Sequence, residues 1–282
     1  MTTHKKTNKN ESVVYLGLNR DSRNQEAEVF KNEKNATILT GSGDDDDMQG
    51  KVASQDPKKG PIDLSQPAGV MQFLTETGVG NIRQDAKGKP IETEKEAQAR
   101  IQHLAKLFGG YTDEQGQQHS GLEVSLRDEM AGFVQTLQKV QQGQQTMDRL
   151  VISGHSYGDR VFGPDGEVTF KQLGSLMSQF PKAQGGVQDL MLSACHTLEK
   201  GYNTQGGEQF KRMLPNVQSV WGYNGFSPTL AQGSPAHIRD WLGASQGNSP
   251  EKLKAAAKKH SGQSAKVLTG NQIGNSIPKA AK

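Results

Sequence analysis

Short apolar runs alternate with segments of helical periodicity along much of the chain. The runs at 13–18, 36–40, 149–153, 187–193 and 217–223 predict buried strands. From the third run onward, strands and helices alternate at the spacing of β-α-β units, which predicts a parallel sheet with helices on both faces. We therefore expect an α/β fold, a three-layer sandwich with a mostly parallel central sheet flanked by helices.

Five helix starts carry a capping signal. In three of them a Ser or Thr is followed three residues later by Glu or Gln, and in two a Ser directly precedes a Pro. Apolar positions three or four residues apart follow most of these signals, which predicts helices with one buried face. The five pairs are Thr93 with Glu96, Ser120 with Glu123, Thr169 with Gln172, Ser234 with Pro235, and Ser249 with Pro250.

The same pattern divides the chain into one large domain and less regular parts. Residues 1–12 form a polar tail, 13–245 the domain, and 246–282 a helical, basic C-terminal extension. Within the domain, 41–92 shows little periodicity and is rich in Pro and Asp, which predicts a surface insertion with a short helix near 67–76.

Composition and charge narrow the range of partners. The hydrophobic content of 32% and the mean hydropathy of −0.73 are low, so part of the chain is expected to be loop or tail. A net charge of +3 without an aromatic-interleaved basic stripe gives no reason to expect nucleic acid. No apolar run approaches the roughly 18 residues that span a bilayer, so no membrane partner is expected. The N-terminal MTTHKKTNKNES lacks the apolar core of a secretory signal, so we expect a cytoplasmic location or export by a leaderless route.

Cys195 is the single cysteine of the chain. An internal disulfide is therefore excluded, and a reducing compartment fits. A lone cysteine is either a small buried hydrophobe or a nucleophile, and its neighbours decide between the two.

His155 and Cys195 both directly follow an apolar strand, in the matched strings LVISGH and LMLSAC. Residues just past the carboxyl ends of parallel strands gather at one edge of the sheet, and neighbouring strands lie about 5 Å apart. An imidazole at that separation can activate a thiol as a nucleophile. The backbone N–H groups of Ser156 and Cys195 are candidates for an oxyanion hole.

A strand ending in Gly-His, a glycine-rich hairpin, a helix, and a strand ending in Ala-Cys 40 positions after the histidine resemble the caspase-like (clan CD) cysteine peptidases. Leu-Ser-Ala-Cys-His-Thr (192–197) is most similar to the bacterial CHAT-type proteases. The resemblance covers about 149–226, which would be the catalytic core. It implies a caspase-hemoglobinase-like fold and a cysteine endopeptidase with His155 as acid/base and Cys195 as nucleophile. It further implies a thioester intermediate, a protein or peptide substrate and self-processing, and the chemistry requires no cofactor or metal.

The same resemblance suggests substrate-binding residues. Ser193 stands where metacaspases carry an aspartate that binds a basic side chain, so Ser193 is expected at the substrate site but an Arg/Lys preference is not carried over. Trp221, Tyr223 and Phe226 lie on and after the strand that follows the cysteine strand. In relatives that region lines the pocket for the residue before the scissile bond, and an aromatic-walled pocket is expected here.

Three alternatives remain open at the sequence level. Gly154-His155-Ser156-Tyr157-Gly158 fits the G-x-S-x-G nucleophile elbow of an α/β-hydrolase-type serine esterase, for which Asp240 and His260 are candidate partners. A catalytically inactive caspase-like binding protein would keep the fold without the chemistry. Finally, the run Asp44 to Asp47 is either a solvated acidic loop or a site for Ca²⁺ as an activator, although it lacks EF-hand spacing.

Overall fold

A computed structural model describes residues 11–40, 50–247 and 249–274 of the chain. Its strands are numbered along the chain, and so are its α-helices. The strands are β1 (Val13–Gly17), β2 (Ala36–Leu39), β3 (Lys51–Val52), β4 (Ile62–Asp63), β5 (Tyr111–Thr112), β6 (Gln118–His119), β7 (Arg149–Ser153), β8 (His155–Ser156), β9 (Arg160–Gly163), β10 (Gly166–Thr169), β11 (Asp189–Ser193), β12 (Ser219–Tyr223) and β13 (Ala265–Thr269). The helices are α1 (Arg20–Glu28), α2 (Pro67–Glu76), α3 (Glu94–Gly109), α4 (Arg127–Gln141), α5 (Phe170–Met177), α6 (Pro181–Gly186), α7 (Glu208–Met213), α8 (Ser234–Ser245) and α9 (Pro250–Lys259).

The central sheet has six strands in the order β13-β12-β11-β7-β1-β2. Every neighbouring pair is parallel except β12 and β13, which are antiparallel. All residues of β1, β7, β11 and β12 are buried, because helices cover both faces of the sheet. The predicted α/β sandwich with a mostly parallel sheet is confirmed.

Alternate residues of each strand serve two separate cores. Leu150 and Ile152 of β7 pack on one face with apolar residues of α2, α3, α4 and α5. Val151 packs on the other face with apolar residues of α1, α8 and α9. This alternation follows from the period of two in a strand, and it produces the three layers.

Most of the helix starts lie where the capping signals place them. Thr93 and Thr169 each form a complete capping box, and the Ser249 side chain accepts a hydrogen bond from the Lys252 backbone N–H. The signal at Ser120 was wrong: α4 begins at Arg127 after a short 3-10 turn, and no side chain caps it.

Two of the parts into which the sequence divides the chain pack against the rest of the domain. The described part of the predicted surface insertion, 50–92, contains α2, and its Val70, Phe73 and Leu74 are buried in the core. Its apolar face is therefore part of the domain interior. The predicted C-terminal extension contributes β13 to the central sheet and Leu253 to the second core, so it is an integral part of the domain.

Among the described residues, no helix combines the length and apolar character needed to cross a membrane.

Candidate active site

Two neighbouring strands of the sheet position His155 and Cys195. β7 and β11 run parallel, and their last residues, Ser153 and Ser193, are register partners. His155 and Cys195 each follow that pair by two residues, at the carboxyl edge where α/β proteins place their sites. The predicted adjacency of the two strands is therefore observed.

The two side chains line one cavity of about 390 Å³. Its walls come from the ends of β1, β7 and β11, from α1, and from the segment that joins β12 to α8. The lining residues are Asn19, Glu26, Ser153, Gly154, His155, Ser193, Cys195, Ser227, Pro228, Thr229, Leu230, Ala231 and Ser234.

His155 is the first residue of β8 and is solvent-exposed. Its Nε2 lies 3.4 Å from Nδ2 of Asn19, a residue just beyond β1. Its ring lies 5.5 Å from that of Phe162, its register partner in β9. The imidazole thus contacts both β9 of the small antiparallel sheet and the residue Asn19 beyond β1.

Cys195 is half-buried, and Ser227 of the β12–α8 segment contacts its Sγ through both the backbone N–H and the hydroxyl. The Ser227 backbone N–H donates to Sγ at 3.3 Å, and the Ser227 hydroxyl lies 3.3 Å from the same atom. Donors of this kind stabilise negative charge on sulfur, which is the nucleophilic form of a thiol.

The backbone around Cys195 is fixed by the segment after β12. The His196 N–H donates to Gly225 O at 2.6 Å, and His196 adopts a positive φ of 58°. The backbone N–H of Cys195 itself makes no hydrogen bond among the described residues.

Ser156 does not line the cavity. It is buried at 3% exposure within β8, and its hydroxyl accepts a hydrogen bond from the Gly158 N–H at 2.9 Å. A nucleophile elbow requires a helix to begin at the serine, whereas here the chain continues into a three-stranded antiparallel sheet. Asp240 and His260 do pair, at 2.8 Å, but neither lines the cavity, and the His260 ring packs at a tilt of 35° against the His237 ring. The geometry thus contradicts the serine-esterase alternative.

The residues expected to bind substrate separate into three groups. Ser193 lines the cavity. Trp221 and Tyr223 have 0% exposure and belong to the second core, which corrects the expectation that they form a pocket wall: both side chains point to the face that α8 and α9 cover. Burial raises the pKa of Tyr223, whose hydroxyl lies 3.0 Å from His237 Nδ1. Phe226 is 74% exposed and packs edge-on against His196 outside the cavity.

Glu26 is a cavity residue that the sequence did not indicate. It lies on α1 and is only 2% exposed. Its Oε2 accepts hydrogen bonds from the Tyr15 hydroxyl, at 2.8 Å, and from the Ser153 hydroxyl. A glutamate in a polar helix usually faces solvent. The burial of Glu26 becomes visible only through its contacts with Tyr15 of β1 and Ser153 of β7.

No group of three or more His, Cys, Asp or Glu side chains within the described ranges is arranged to hold a metal ion. The run Asp44 to Asp47, considered above for Ca²⁺, lies outside the described residues.

Comparisons with known proteins give a partial match among solved structures. No protein family matches the chain, and no curated protein matches it either. Among solved structures, the chain is similar to a secreted C11 cysteine protease from Bacteroides thetaiotaomicron, crystallised in complex with an irreversible peptide inhibitor. The TM-score is 0.40 and the identity 11%, and the match covers 88% of this chain and 59% of that chain. A likeness of this degree leaves the function to be argued from the site itself.

Proposed function

We propose that the chain is a caspase-like cysteine endopeptidase with His155 and Cys195 as its catalytic dyad. The observation that carries this proposal is the convergence of the two side chains on one cavity, two residues beyond the paired strand ends Ser153 and Ser193. A thiol and an imidazole at a sheet edge, next to a cleft, constitute the minimum apparatus for acyl transfer through sulfur.

The reaction proceeds in two acyl transfers. His155 accepts the Cys195 proton, the thiolate attacks the peptide carbonyl carbon, and a tetrahedral oxyanion forms. The C–N bond then breaks, the leaving amine takes its proton from the imidazolium, and a thioester remains. Water, deprotonated by His155, attacks the thioester. The carboxylic acid leaves, and the proton returns to the sulfur.

The backbone N–H of Cys195 is the first candidate to hold the oxyanion, because it has no other partner among the described residues. The Ser156 N–H is the second candidate, on the analogy with the family. Preorganised N–H donors of this kind typically contribute about 10²–10³-fold to rate.

Cleavage of a peptide library tests the proposal directly. The wild type should release defined peptide fragments, and Cys195→Ala should lose at least about 10³-fold in rate because no other group supplies the nucleophile. Unchanged circular dichroism would show that the variant is folded. Equal cleavage by Cys195→Ala would contradict the proposal.

Thiol alkylation tests the dyad without a substrate. Iodoacetamide should label Cys195 faster than a free thiol at about pH 6.5, where an isolated cysteine is almost fully protonated. His155→Ala should slow that labelling about 10-fold. A labelling profile across pH that matches glutathione and ignores His155→Ala would contradict a dyad and favour an inactive binding protein.

Ser156→Ala separates the thiol mechanism from a serine mechanism. The alanine keeps the backbone N–H, so we expect Cys195-dependent cleavage to persist. Loss of all activity in Ser156→Ala, with Cys195→Ala still active, would restore the serine esterase.

A further inference from the structure

The residue that follows the nucleophile has a backbone conformation that side-chain-bearing residues rarely adopt. His196 has a φ of 58°, in the left-handed region. That region is crowded for any residue with a Cβ, so a non-glycine residue stays there only where its surroundings hold it. Residues held in this way cluster at functional sites. The contacts of His196 therefore deserve to be followed one by one.

Three side chains surround the His196 ring, which is 9% exposed. Its Nδ1 lies 2.5 Å from Oε2 of Glu199, so the imidazole donates a hydrogen bond to the carboxylate. The ring stacks on that of Tyr202, with centroids 4.2 Å apart, and meets the ring of Phe226 edge-on at 4.7 Å. We call Glu199, Tyr202 and Phe226 the ring clamp. One polar contact and two aromatic contacts together fix the position and the tilt of the imidazole.

Three consecutive residues of the β12–α8 segment contact the Cys195–His196 dipeptide. Gly225 O accepts a hydrogen bond from the His196 backbone N–H at 2.6 Å, and Phe226 packs against the His196 ring. Ser227 contacts the Cys195 Sγ through its backbone N–H and its hydroxyl, both at 3.3 Å. The residue that packs on the imidazole thus directly precedes the residue that contacts the sulfur. A displacement of the His196 ring would therefore change the distance between Ser227 and Sγ.

His196 and the ring clamp lie outside the cavity that the dyad lines. Neither His196 nor any residue of the ring clamp belongs to the cavity wall. The turn after His196 is also tied to β12, since the Leu198 N–H donates to Tyr223 O at 2.9 Å. His196 is therefore placed to act on Cys195 itself, and not on a group bound in the cavity.

We propose that His196 is a positioning residue for the nucleophile. Held by the ring clamp, it keeps the chain in the left-handed turn that presents the Cys195 sulfur to the Ser227 N–H. A hydrogen bond from that N–H stabilises the thiolate, so the turn governs both the direction and the reactivity of the sulfur. The inference rests on the proposed peptidase function and adds a residue that acts through Cys195 without contacting the substrate.

His196→Gly separates the ring from the turn. Glycine adopts a positive φ without steric cost, so the backbone can keep its conformation while the ring clamp loses its ring. For a peptide that the wild type cleaves, kcat should fall about 10–100-fold, the scale of a catalytic group misplaced by about 1 Å. KM should stay within about 2-fold of the wild type, because the cavity wall is unchanged. Labelling of Cys195 by iodoacetamide at about pH 6.5 should slow about 10-fold.

Two further variants separate positioning from a loss of folding. His196→Asn should recover most of the lost kcat, because asparagine tolerates a positive φ better than most residues and its amide can donate to Glu199. Phe226→Ala removes one side of the ring clamp, and it should lower kcat and the labelling rate several-fold. Since the Phe226 side chain is 74% exposed, this variant should remain folded should His196→Gly fail to fold.

Ser264 provides the matched control. Among the described residues it is the other non-glycine residue with a positive φ, 64°, and its carbonyl accepts from the Asn224 N–H. Ser264→Gly relieves the same kind of backbone strain and keeps that hydrogen bond, so kcat, KM and the labelling rate should stay at their wild-type values. Wild-type kcat and labelling in a folded His196→Gly, or in Phe226→Ala where His196→Gly does not fold, would overturn the inference. So would a raised KM at unchanged kcat, which would show that His196 contacts the substrate.

The labelling arm keeps this inference separate from the proposed function, because it needs no substrate. Slower labelling of His196→Gly that His196→Asn restores, without any cleavage by the wild type, would refute the peptidase proposal alone. Cleavage by the wild type, with unchanged kcat and labelling rate in His196→Gly, would refute the positioning role alone.

Discussion

Glu129 shows how a single buried carboxyl group shapes the stability of this protein. It lies in the first turn of α4 with 3% exposure. Burial raises its pKa from 4.5 to about 9, and the hydrogen bond with Asp128 and the negative charge of Asp128 act in the same direction. At pH values between these two pKa values, Glu129 keeps its proton in the folded protein and loses it in the unfolded chain. The free energy of unfolding therefore falls as pH rises from about 4.5 to 9.

Glu129→Gln should remove this pH dependence. Between about pH 5 and pH 8 the wild type should lose on the order of 2 kcal/mol of stability relative to the variant, since each pH unit in this window is worth up to about 1.4 kcal/mol. Urea unfolding at several pH values measures the difference. Glu114→Gln, at an exposed loop position, should follow the wild-type curve. If the free energy of unfolding depended on pH in the same way for the wild type and for Glu129→Gln, Glu129 would be ionised in the folded protein.

At the scale of elements, the sheet formed by β8, β9 and β10 is the part that places the imidazole. Its close fit against the end of β1 depends on glycine, because a Cβ at Gly163 would lie 1.6 Å from the Leu18 carbonyl oxygen. The small sheet that carries His155 thus packs directly against the backbone just beyond β1. Any side chain at Gly163 must push the two apart.

Gly163→Ala should therefore affect both stability and activity. We expect a loss of about 1–3 kcal/mol in the free energy of unfolding, as for overpacked interiors, and a lower kcat/KM because His155 moves relative to Cys195. Chemical denaturation and peptide hydrolysis check the two effects. Gly60→Ala is the control, since a Cβ there meets nothing within 4 Å. A Gly163→Ala variant as stable and as active as Gly60→Ala would contradict this close packing of Gly163 against Leu18.

Elements defined by local signals could be predicted, and those defined by distant contacts could not. The buried strands, the capping boxes at Thr93 and Thr169, and the pairing of β7 with β11, which His155 and Cys195 follow, could be inferred from periodicity, turn chemistry and the order of elements along the chain. β13 was not predicted, because its short run lies in a lysine-rich segment and becomes a strand only through pairing with β12.

The residues considered for substrate binding, and those that line the cavity, show the same limit. Trp221 was expected in a pocket, but α8 and α9 cover its face of the sheet. Conversely, Glu26 acquires its position through Tyr15 and Ser153, which lie 11 and 127 residues away along the chain. No local pattern contains either relationship.

At the scale of the whole molecule, the C-terminal part closes one edge of the central sheet. Val267 of β13 is buried opposite Trp221 of β12, whereas its neighbour Lys266 is exposed. Ile273, a few residues further on, enters the main core. The described segment 249–274 thus contributes to both faces of the sandwich, and we expect it to fold and unfold with the rest.

Val267→Asp and Lys266→Asp test this integration on adjacent positions of one strand. Val267→Asp should destabilise the whole protein by several kcal/mol, because it buries a charge without a partner, and it should do so in a single unfolding transition. Lys266→Asp should change the midpoint of the unfolding transition little, because its side chain is exposed. Circular dichroism and tryptophan fluorescence report on the sheet and on Trp221 and Trp241, respectively. An early, separate transition in Val267→Asp would indicate an independently folding extension.

The segment that connects β12 to α8 serves two purposes at once. Ser227 contacts the sulfur of Cys195, while Pro228, Thr229, Leu230 and Ala231 form a wall of the cavity. The same few peptide units therefore shape the cavity and contact the Cys195 thiol. Under the proposed peptidase function, selectivity and turnover cannot be engineered independently: a loop exchange that changes the cavity wall also moves the contacts of the thiol, and libraries randomised in this loop should be screened for both properties together.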